Sequence, residues 1–398
     1  VEHKKIKSFV KRTSPENLLS IKTKSGKQII TTKYHPLFVL REGKVVEARA
    51  DELTKGIRIA VPRKISFEPE NKYFLELLDE INQKDNIYIP YNEDYNLILR
   101  SIKGDLQWKQ LAEKIDISHY VIKGLLDKQS INLFYLIKIL RFAHFSDLEI
   151  INQINELISN GKKTKFDFQN SPEFSRFLGY LLAEGRLTDS NQIWFTNGTE
   201  EIIEDYVMLV RKLFGKEPLI REYKQNCWDV IFYSSSLIKI LNKLGIKENS
   251  GKKEISNTYL KHSSNYEISE LLNGLYCGDG YISRSSIEIT TKSERLSEGI
   301  ETCLLRLGIS SVKRKVIKTI KSIGFSGEYY NIVSYGTTNF QKFNNNIRLI
   351  HPLKRQRILE GLNKKINPNS DLIEVNDLVK QITIESGINI KSTRKQFP

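Results

Sequence analysis

Two short segments of this chain repeat one pattern, and they constrain the fold more than any other feature of the sequence. They are FLGYLLAEG at residues 177–185 and LNGLYCGDG at residues 272–280. As helices, both place small residues four positions apart on one face, namely Gly179, Ala183, Gly274 and Gly278. Small residues on facing sides allow two helix backbones to approach closely. We therefore expect the two segments to pack against each other as a helix pair.

Each segment ends in an acidic residue followed by glycine: Glu184 precedes Gly185, and Asp279 precedes Gly280. Glycine suits the C-terminus of a helix, whereas a carboxylate at that end is opposed by the helix dipole. A close helix pair would bring the two carboxylates together in a strongly negative pocket. A divalent metal ion is the natural occupant of such a pocket.

A second landmark indicates a tandem duplication. Glu184 and Asp279 are 95 residues apart, and the alternating segments QIWFTN at 192–197 and IEITTK at 287–292 share that offset. Each alternating segment is followed by an amphipathic helical pattern, a polar hairpin pattern and another helix. We predict an α+β fold in which each copy has the order α-β-β-α-β-β-α.

The two segments resemble the paired motifs of LAGLIDADG homing endonucleases. The family's metal-binding acid is the eighth letter of its motif and falls on Glu184 and Asp279. The sixth letter, an acid that the family often replaces, is Leu182 in the first copy and Cys277 in the second. The resemblance implies a single-chain nuclease core at residues 169–350. Its two pseudo-symmetric halves are predicted at 169–250 and 260–350.

The resemblance also implies a reaction and a cofactor. Glu184 and Asp279 would each hold Mg²⁺, with Mn²⁺ as a substitute, near one scissile phosphate, so that both DNA strands are cut across the minor groove. Lys292 matches a position where the family often carries a basic residue near the attacking water, and we assign Asn197 to that position in the first half. This asymmetry predicts unequal nicking rates for the two strands. An ordinary strand-end lysine is an equally good interpretation of Lys292.

The charge of the chain agrees with a nucleic-acid partner. Lysine and arginine number 62 against 47 acidic residues, a formal net charge of +15, which favours a polyanion; a basic protein from a lysine-rich proteome explains it equally well. The odd count of three cysteines fits a reducing interior, and no apolar run reaches the length of a membrane helix. We expect a cytoplasmic, prokaryotic protein, archaeal by its resemblance.

Polar and basic hairpins in both halves predict a DNA-binding surface. A twisted sheet with one polar face can lie along a DNA groove while its other face packs on helices. The candidate contacts are Arg186, Lys224, Arg284, Lys313 and Lys315. A solvated edge hairpin is the alternative interpretation. Because two dissimilar halves lie in one chain, we expect a monomer that recognises a long, asymmetric site in double-stranded DNA.

Residues 1–65 predict short strands and contain the motif Thr32-x-x-His35. In this context the segment resembles the N-terminal part of the Hint domain that performs protein splicing in inteins, where such a motif helps to activate the first scissile bond. Val1 is not a nucleophile, and no His-Asn pair occurs in the chain. We therefore expect a partial splicing domain, with Thr32 and His35 as remnants. Its natural precursor would include flanking host-protein exteins.

Residues 66–168 form a predicted helical insertion, and residues 351–398 a basic accessory region. Within the insertion, residues 108–126 fit helix-turn-helix spacing, with Asp116 in the turn and Ser118 able to cap the second helix. Candidate DNA contacts are Ser118, His119, Lys123 and Lys128. An ordinary helical hairpin is the alternative.

The function that fits these features best is an intein-encoded, site-specific homing endonuclease that makes Mg²⁺-dependent double-strand cuts in DNA. We expect this chain by itself not to splice. Two alternatives remain at this stage. One is a DNA-binding relic that has lost cleavage, against which both intact acids argue. The other is an RNA maturase, against which the splicing-domain resemblance argues.

Overall fold

The computed structural model describes residues 8, 11, 17–41, 43–320, 324–363 and 384–387. The chain divides into two units. One unit contains the described residues from 64 to 363, and the other contains the described residues from 8 to 63 together with 384–387. Most of the predicted accessory region, from residue 364 onward, and the residue at position 1 lie outside the described residues.

The smaller unit contains short antiparallel strands. Their bounds are β1 Leu19–Lys22, β2 Gln28–Thr31, β3 Pro36–Arg41, β4 Lys44–Arg49 and β5 Arg58–Ile59, with a 3-10 turn at Ala50–Glu52. Strands β1 and β2 form a hairpin, and a second sheet has the order β4-β3-β5. Thr32 and His35 are exposed in the turn between β2 and β3, where the His35 N–H donates to the Thr32 carbonyl at 3.2 Å. The structure thus places both motif residues in one turn, and their splicing role stays a prediction.

The larger unit begins with a helical region that carries a small sheet. Its elements are α1 Glu76–Glu80, β6 Tyr88–Ile89, α2 Glu93–Lys103, α3 Trp108–Ile115, α4 His119–Leu126, β7 Ile131–Asn132, α5 Leu133–Phe142, α6 Asp147–Asn152, β8 Glu156–Ser159 and β9 Lys162–Lys165. The sheet has the order β7-β6-β8-β9. Apolar side chains of α2 to α6 converge on one core. We call residues 86–166 the insertion module.

Two halves of matching order follow. The first contains α7 Pro172–Glu184, β10 Gly185–Leu187, β11 Gln192–Asn197, α8 Glu200–Phe214, β12 Leu219–Lys224, β13 Cys227–Tyr233 and α9 Ser235–Lys243. After α10 Asn257–Lys261, the second contains α11 Asn265–Gly278, β14 Gly280–Ile282, β15 Ser286–Thr291, α12 Glu294–Arg306, β16 Val312–Ile320, β17 Phe325–Tyr335 and α13 Thr337–Asn346; α14 Pro352–Leu362 ends the unit. The α-β-β-α-β-β-α order predicted for each half is what the structure has. Among the described residues, no helix has the length and apolarity needed to cross a membrane.

The two halves build equivalent sheets. The strand orders β10-β11-β13-β12 and β14-β15-β17-β16 are the same arrangement applied twice. One face of the first sheet is apolar because Ile193, Phe195, Val230 and Phe232 alternate inward and are fully buried. Phe195 stacks on Tyr206 of α8 at 4.3 Å between ring centroids. The helices therefore cover one face of the sheet and leave the other for polar side chains.

The constant 95-residue offset holds for the first strand of each half but not for the second. Gly185 pairs with Phe195 in the first half, whereas Gly280 pairs with Ile289 in the second. The turn after β14 is one residue shorter than the turn after β10, so the equivalent strands are offset by 94 residues. Since a one-residue slip reverses the face of every side chain in a strand, the residue-by-residue match of 192–197 with 287–292 was wrong.

Candidate active site

The helices α7 and α11 pack backbone against backbone. A Cβ atom built on Gly179 would overlap the carbonyl oxygen of Leu271 and lie 2.9 Å from the Leu275 nitrogen. A Cβ atom on Gly274 would overlap the Arg176 carbonyl oxygen, and Gly278 faces the Ala183 Cβ in the same way at 2.5 Å. No side chain fits between the helices at these points. The close helix pair predicted from the small residues is therefore confirmed.

Each helix ends at its acid and passes directly into the first strand of a sheet. Glu184 is the last residue of α7, and Asp279 caps α11. Gly185 has φ −79° and ψ 147°, which is ordinary extended backbone and needs no glycine. Glycine is required there for a different reason, because a Cβ would overlap the Leu181 Cα and lie 2.6 Å from the Leu181 carbonyl oxygen, both backbone atoms. The tight junction fixes each acid at the boundary between the helix pair and a sheet.

The two carboxylates face each other across the helix pair. Both residues are exposed to solvent. Partial burial raises the pKa of Glu184, and the negative charge of Asp279 raises it further. Burial likewise raises the pKa of Asp279. The two carboxylates thus lie close enough to repel each other, and a metal-binding pocket between them stays a prediction.

Two lysines, one per helix end, lie beneath the acids. The Lys253 ammonium donates to the carbonyls of Leu181, Leu182 and Gly185 at 2.8, 3.1 and 2.8 Å. The Lys354 ammonium donates in the same way to Tyr276, Cys277 and Gly278 at 3.0, 2.7 and 2.8 Å. Each lysine therefore satisfies the free carbonyls at the C-terminus of one helix.

The ammonium groups of Lys253 and Lys354 are poorly solvated. Lys253 is only 4% exposed, and burial lowers its pKa to about 8 although Asp279 and Glu184 oppose that change. Burial also lowers the pKa of Lys354, again against the nearby carboxylates. The positive charges in turn lower the pKa values of both acids. Acids and lysines thus form one electrostatic cluster with approximate twofold symmetry.

Sequence reasoning missed both lysines. Lys253 follows Glu184 by 69 residues and Lys354 follows Asp279 by 75, so the 95-residue repeat does not relate them. Each stands among other basic residues, in GKKEIS and PLKRQR. Both lysines follow the last helix of their half, α9 or α13, by a short distance. An alignment of the two halves by helices and strands would have shown this shared position.

The acids and their surroundings fit a hard divalent cation. Mg²⁺ is commonly held by one or two carboxylates together with substrate phosphates and its own waters. Glu184 and Asp279 provide two such carboxylates, and the residues described contain no cluster of three or more histidine, cysteine or acidic groups that would form a closed cage. An open, two-carboxylate site therefore suits Mg²⁺ or Mn²⁺ and leaves room for a phosphate.

Asn197 and Lys292 do not occupy equivalent positions in the two halves. The Asn197 side chain accepts a hydrogen bond from the Thr199 N–H at 2.9 Å, and Thr291 does the same for Ser293 at 3.1 Å. Asn197 is therefore equivalent to Thr291, not to Lys292, and each is the last residue of its strand, two residues before the N-cap of the next helix. Lys292 is exposed at the end of β15. The unequal nicking rates of the two DNA strands were predicted from this pair, and that prediction loses its basis. A catalytic role for Lys292 stays a prediction.

The polar faces of the sheets carry connected side chains. In the first sheet, Arg221 lies over the Trp194 ring at 4.5 Å and pairs with Asp229, which also accepts from Thr196 at 2.7 Å. In the second, Asn331 links Thr290 and Glu288. The charge of Lys318, on β16, acts on the Asp279 carboxyl and lowers its pKa. The polar face of the second sheet thus lies on the same side as the acids.

The predicted DNA contacts divide between the two faces. Arg186, Lys224 and Arg284 are exposed, and Arg284 pairs with Glu360 at 3.3 Å. Lys313 points the other way: it is 13% exposed and lies 3.6 and 3.5 Å from Glu298 and Glu301 of α12.

Lys315 shares the face of Lys313 by alternation and pairs with Glu328 at 2.8 Å. Both lysines therefore lie on the face of β16 that is turned toward α12, and their contact with DNA stays a prediction. Arg314 and Lys318 occupy the opposite face.

The helix-turn-helix segment has the expected local structure. Asp116 adopts a left-handed conformation, φ 59° and ψ 54°, between α3 and α4. The Ser118 side chain accepts a hydrogen bond from the Tyr120 N–H at 3.3 Å and caps α4. His119 and Lys123 are exposed. Their contact with DNA stays a prediction.

Comparison with known proteins decides the family. The sequence model described as the intein splicing domain matches residues 1–351. The chain belongs to this intein family. Across 393 residues, 97% of this chain, it is 25% identical to a replication factor C small subunit of Methanocaldococcus jannaschii, and the match spans 15% of that protein. The glutamine–fructose-6-phosphate aminotransferase of the same organism is 25% identical over 98% of this chain and 35% of its own length.

Solved structures similar to this intein include homing endonucleases. A variant of the homing endonuclease I-DmoI aligns with 44% of this chain and 95% of its own, with a TM-score of 0.34 and 13% identity. The N-terminal LAGLIDADG domain of WhiA aligns with 45% of this chain and 85% of its own, with a TM-score of 0.31 and 14% identity. The intein spans 15% and 35% of the length of the two curated relatives named above.

The acid pair predicts an unusual effect of pH on stability. A carboxyl whose pKa is raised by folding ionises more easily in the unfolded chain, so the free energy of unfolding falls as pH rises above about 4 and stays reduced at pH 7. Asp279→Asn removes one of the two charges. We expect the variant to melt higher than wild type at pH 7, by on the order of 2 °C, and the difference to disappear near pH 3.

Thermal unfolding followed by circular dichroism at both pH values measures this difference. Millimolar Mg²⁺ should raise the melting temperature of the wild type and leave that of Asp279→Asn unchanged. A variant that melts below the wild type at pH 7 would show that the acid pair stabilises the fold.

Proposed function

We propose that residues 169–350 of this intein are a site-specific DNA endonuclease that makes a double-strand cut by divalent-metal-dependent hydrolysis. The observation that carries the proposal is the acid pair itself. Glu184 and Asp279 stand at the ends of two closely packed helices, and each directly precedes the first strand of a sheet with a polar face. One acid per sheet suits one cleavage per DNA strand.

Each part of the cluster has a task that follows from its chemistry. The two carboxylates, Glu184 and Asp279, would hold the cation. When bound, Mg²⁺ lowers the pKa of an attacking water and neutralises charge on the phosphate. Lys253 and Lys354 use all three ammonium hydrogens on backbone carbonyls. They therefore contribute positive charge near the acids and fix the helix ends that carry the acids.

The two sheets supply the DNA-binding surface. Their polar faces differ in composition, with Arg221, Trp194 and Asp229 in the first sheet and Arg314, Asn331 and Glu288 in the second. A chain with two dissimilar sheets recognises a long site of only approximate twofold symmetry, as a monomer. Because lysine and arginine contacts to phosphates release counterions, affinity should fall steeply with salt.

The relatives support a mobile segment inserted in host proteins. A replication factor C subunit and an aminotransferase have unrelated named functions, and yet both match nearly the whole of this chain within a minor part of their own length. The shared segment therefore does not provide the named function of either protein. A nuclease that cuts the uninterrupted host gene at the insertion point accounts for such a distribution. Flanking exteins and a role for Thr32 and His35 in their joining belong to the same proposal.

Removal of either buried lysine should slow cleavage. Lys253→Met and Lys354→Met keep the length of the side chain but remove its charge and three hydrogen bonds to backbone carbonyls at one helix end. We expect the cleavage rate to fall by about 10²-fold in each variant. Initial rates on a strand-labelled duplex should show opposite strand preferences, because each lysine supports one helix end.

The neighbouring lysine provides a matched control. Lys252 is exposed beside Lys253, and Lys252→Met should cleave within about twofold of wild type, as expected for a surface substitution. Lys292→Met belongs in the same series. If it loses more activity than Lys253→Met and Lys354→Met, the catalytic cation is Lys292 and the buried lysines serve the fold.

The experiment that tests the function uses a pool of randomised duplex DNA of about four helical turns. The full chain is incubated with the pool in Mg²⁺, in Ca²⁺ and in EDTA, and cut and bound fractions are sequenced. Discrete double-strand cuts in Mg²⁺ that are absent in EDTA would support the proposal. Site-specific binding without cutting under any cation would indicate a DNA-binding relic, and selection of no duplex at all would refute both.

A further inference from the structure

We propose that Asn273 and Cys277, two buried polar residues of α11, are positioning residues that hold Lys354 against the end of their own helix. We call these two residues the polar pair. The inference rests on the proposed function, since it takes the cluster of acids and lysines as the site of DNA cleavage. It adds how Lys354 is held, and it implies that the two cuts depend on different supporting residues. The observations that carry it are the hydrogen bonds between α11 and the start of α14 and a different arrangement in the first half.

The position of Lys354 depends on where α14 begins, because the lysine lies in the first turn of that helix. His351 is the N-cap residue of α14. The Ile350 N–H donates to Asn273 Oδ1 at 3.2 Å, and the His351 N–H donates to Cys277 Sγ at 3.4 Å. Two side chains one turn apart on α11 therefore hold the segment from which α14 starts.

The amide group of Asn273 has one favourable orientation. Its NH2 donates to the Glu270 carboxylate at 3.4 Å, and the Arg176 guanidinium of α7 binds the same carboxylate at 2.5 Å. Its oxygen faces two donors, the Ile350 N–H and the Cys277 S–H, the latter at 3.3 Å. A reversed amide would place its NH2 against two donors and its oxygen against a carboxylate. The ion pair between α7 and α11 therefore orients the oxygen that receives the segment before α14.

Cys277 completes this connection as a neutral thiol. It is 1% exposed, and burial raises its pKa to about 11. The thiol therefore keeps its proton at neutral pH and donates to Asn273, while the sulfur accepts from the His351 N–H. Since sulfur is a weak acceptor, Asn273 should contribute more than Cys277 to holding the segment.

The first half holds its lysine in another way. The equivalents of the polar pair, 95 positions earlier on α7, are Leu178 and Leu182, buried side chains that form no hydrogen bonds. The carbonyl of Lys253 instead accepts from Ser293 Oγ at 2.6 Å, and Ser293 is the N-cap residue of α12. Substitution of the polar pair should therefore loosen Lys354 and leave Lys253 in place.

The first test measures how firmly Lys354 is held, on the full chain without DNA or metal. The protein is treated with a small amount of acetic anhydride, and mass spectrometry gives the acetylation rate of Lys354 relative to that of Lys253 in the same molecule. Asn273→Leu introduces the side chain that the first half has at this position, with a similar shape. Because the Ile350 N–H loses its acceptor, we expect this ratio to rise about tenfold.

The second test measures the two cuts separately, on a strand-labelled duplex recovered from the randomised pool. Because a shift of about 1 Å near a reacting group can cost on the order of 10²-fold in rate, we expect Asn273→Leu to slow the cutting of one strand about tenfold. The other strand should stay within about twofold of wild type. The slowed strand should be the one that Lys354→Met slows, not the one that Lys253→Met slows. Asn273→Leu added to Lys354→Met should cause no further loss on that strand, because both changes act through one group.

Substitutions on the same helix separate positioning from general damage. Cys277→Ser keeps a donor for Asn273 and an acceptor for His351, so it should stay near wild type in both tests. Cys277→Ala removes both and should change in the same direction as Asn273→Leu, by a smaller factor. Ser269→Ala is the matched control, because Ser269 is a buried polar residue of α11 whose hydroxyl donates to the Asn265 carbonyl of its own helix. It should keep the wild-type acetylation ratio and strand preference, and circular dichroism confirms that each variant folds.

An unchanged acetylation ratio in folded Asn273→Leu, or an equal loss of rate on both strands, overturns the inference. If the wild type cuts no DNA while the ratio still rises in Asn273→Leu, the proposed endonuclease fails and the positioning of Lys354 stands. Normal cutting by the wild type together with an unchanged ratio gives the reverse result.

Discussion

Asp279→Asn is expected to abolish double-strand cleavage, with a loss of about 10³-fold or more in rate. Asp279 and Glu184 are the two carboxylates proposed to hold the cation, and an amide supplies neither the charge nor the second anionic oxygen of Asp279. DNA binding in Ca²⁺ should weaken far less, because most contacts lie on the sheets. Conversion of supercoiled plasmid to nicked and linear forms measures both single-strand and double-strand cutting.

Glu184→Gln should behave in the same way, and any residual nicking in the two variants should fall on opposite strands. Asp189→Asn is the matched control, since Asp189 is an exposed acid in the turn five residues beyond Glu184; it should cut within about twofold of wild type. Mg²⁺-dependent linearisation that survives in Asp279→Asn would place the chemistry elsewhere in the molecule.

Gly274→Ala should disrupt the core of the larger unit. In an ordinary helix this substitution stabilises by roughly 1 kcal/mol, because alanine is the better helix former. Here the added methyl would overlap the Arg176 carbonyl oxygen and lie 2.9 Å from the Tyr180 nitrogen, both rigid backbone atoms. We expect a net loss of about 3 kcal/mol or more, the upper range for overpacked cores. Gly179→Ala meets the Leu271 backbone and should lose as much.

A chain with two units need not unfold in one step, so the measurement is hydrogen exchange of peptides that cover α7 and α11. Their amides should lose protection in Gly274→Ala and Gly179→Ala. Gly124→Ala is the control, because Gly124 lies in helix α4 and its added methyl would meet only the flexible end of Gln129 at 3.3 Å. It should keep or gain stability. Wild-type protection in Gly274→Ala would mean that α7 and α11 can separate at little cost.

These predictions depend on features that the sequence made visible to different degrees. The small residues and the acids belong to nine-residue motifs, so spacing alone placed both on the right helix faces. The order of helices and strands in each half also followed from periodicity. The relative register of β11 and β15 did not. The turn after β14 is one residue shorter than the turn after β10, and composition does not show this difference, which shifts the match between β11 and β15 by one residue.

The charged side chains were the least predictable. Lys313 and Arg314 are neighbours in one basic strand, and only the packing of α12 decides that Lys313 meets Glu298 and Glu301 while Arg314 faces the other way. The helix-turn-helix segment shows the opposite case. Its turn residue, Asp116, and its cap, Ser118, depend on local structure, so the sequence indicated them correctly.

The sequence by itself determined that two helices with small residues and terminal acids would pair, since close approach needs only the absence of side chains at fixed positions. The tertiary structure decided what holds the acids in place. Lys253 reaches carbonyls 72 residues away, and Lys354 reaches carbonyls 77 residues away. Partners so distant are set by the lengths of intervening loops and by how both halves fold around the helix pair. No local pattern records those quantities, so the charge balance of the site exists only in the folded chain.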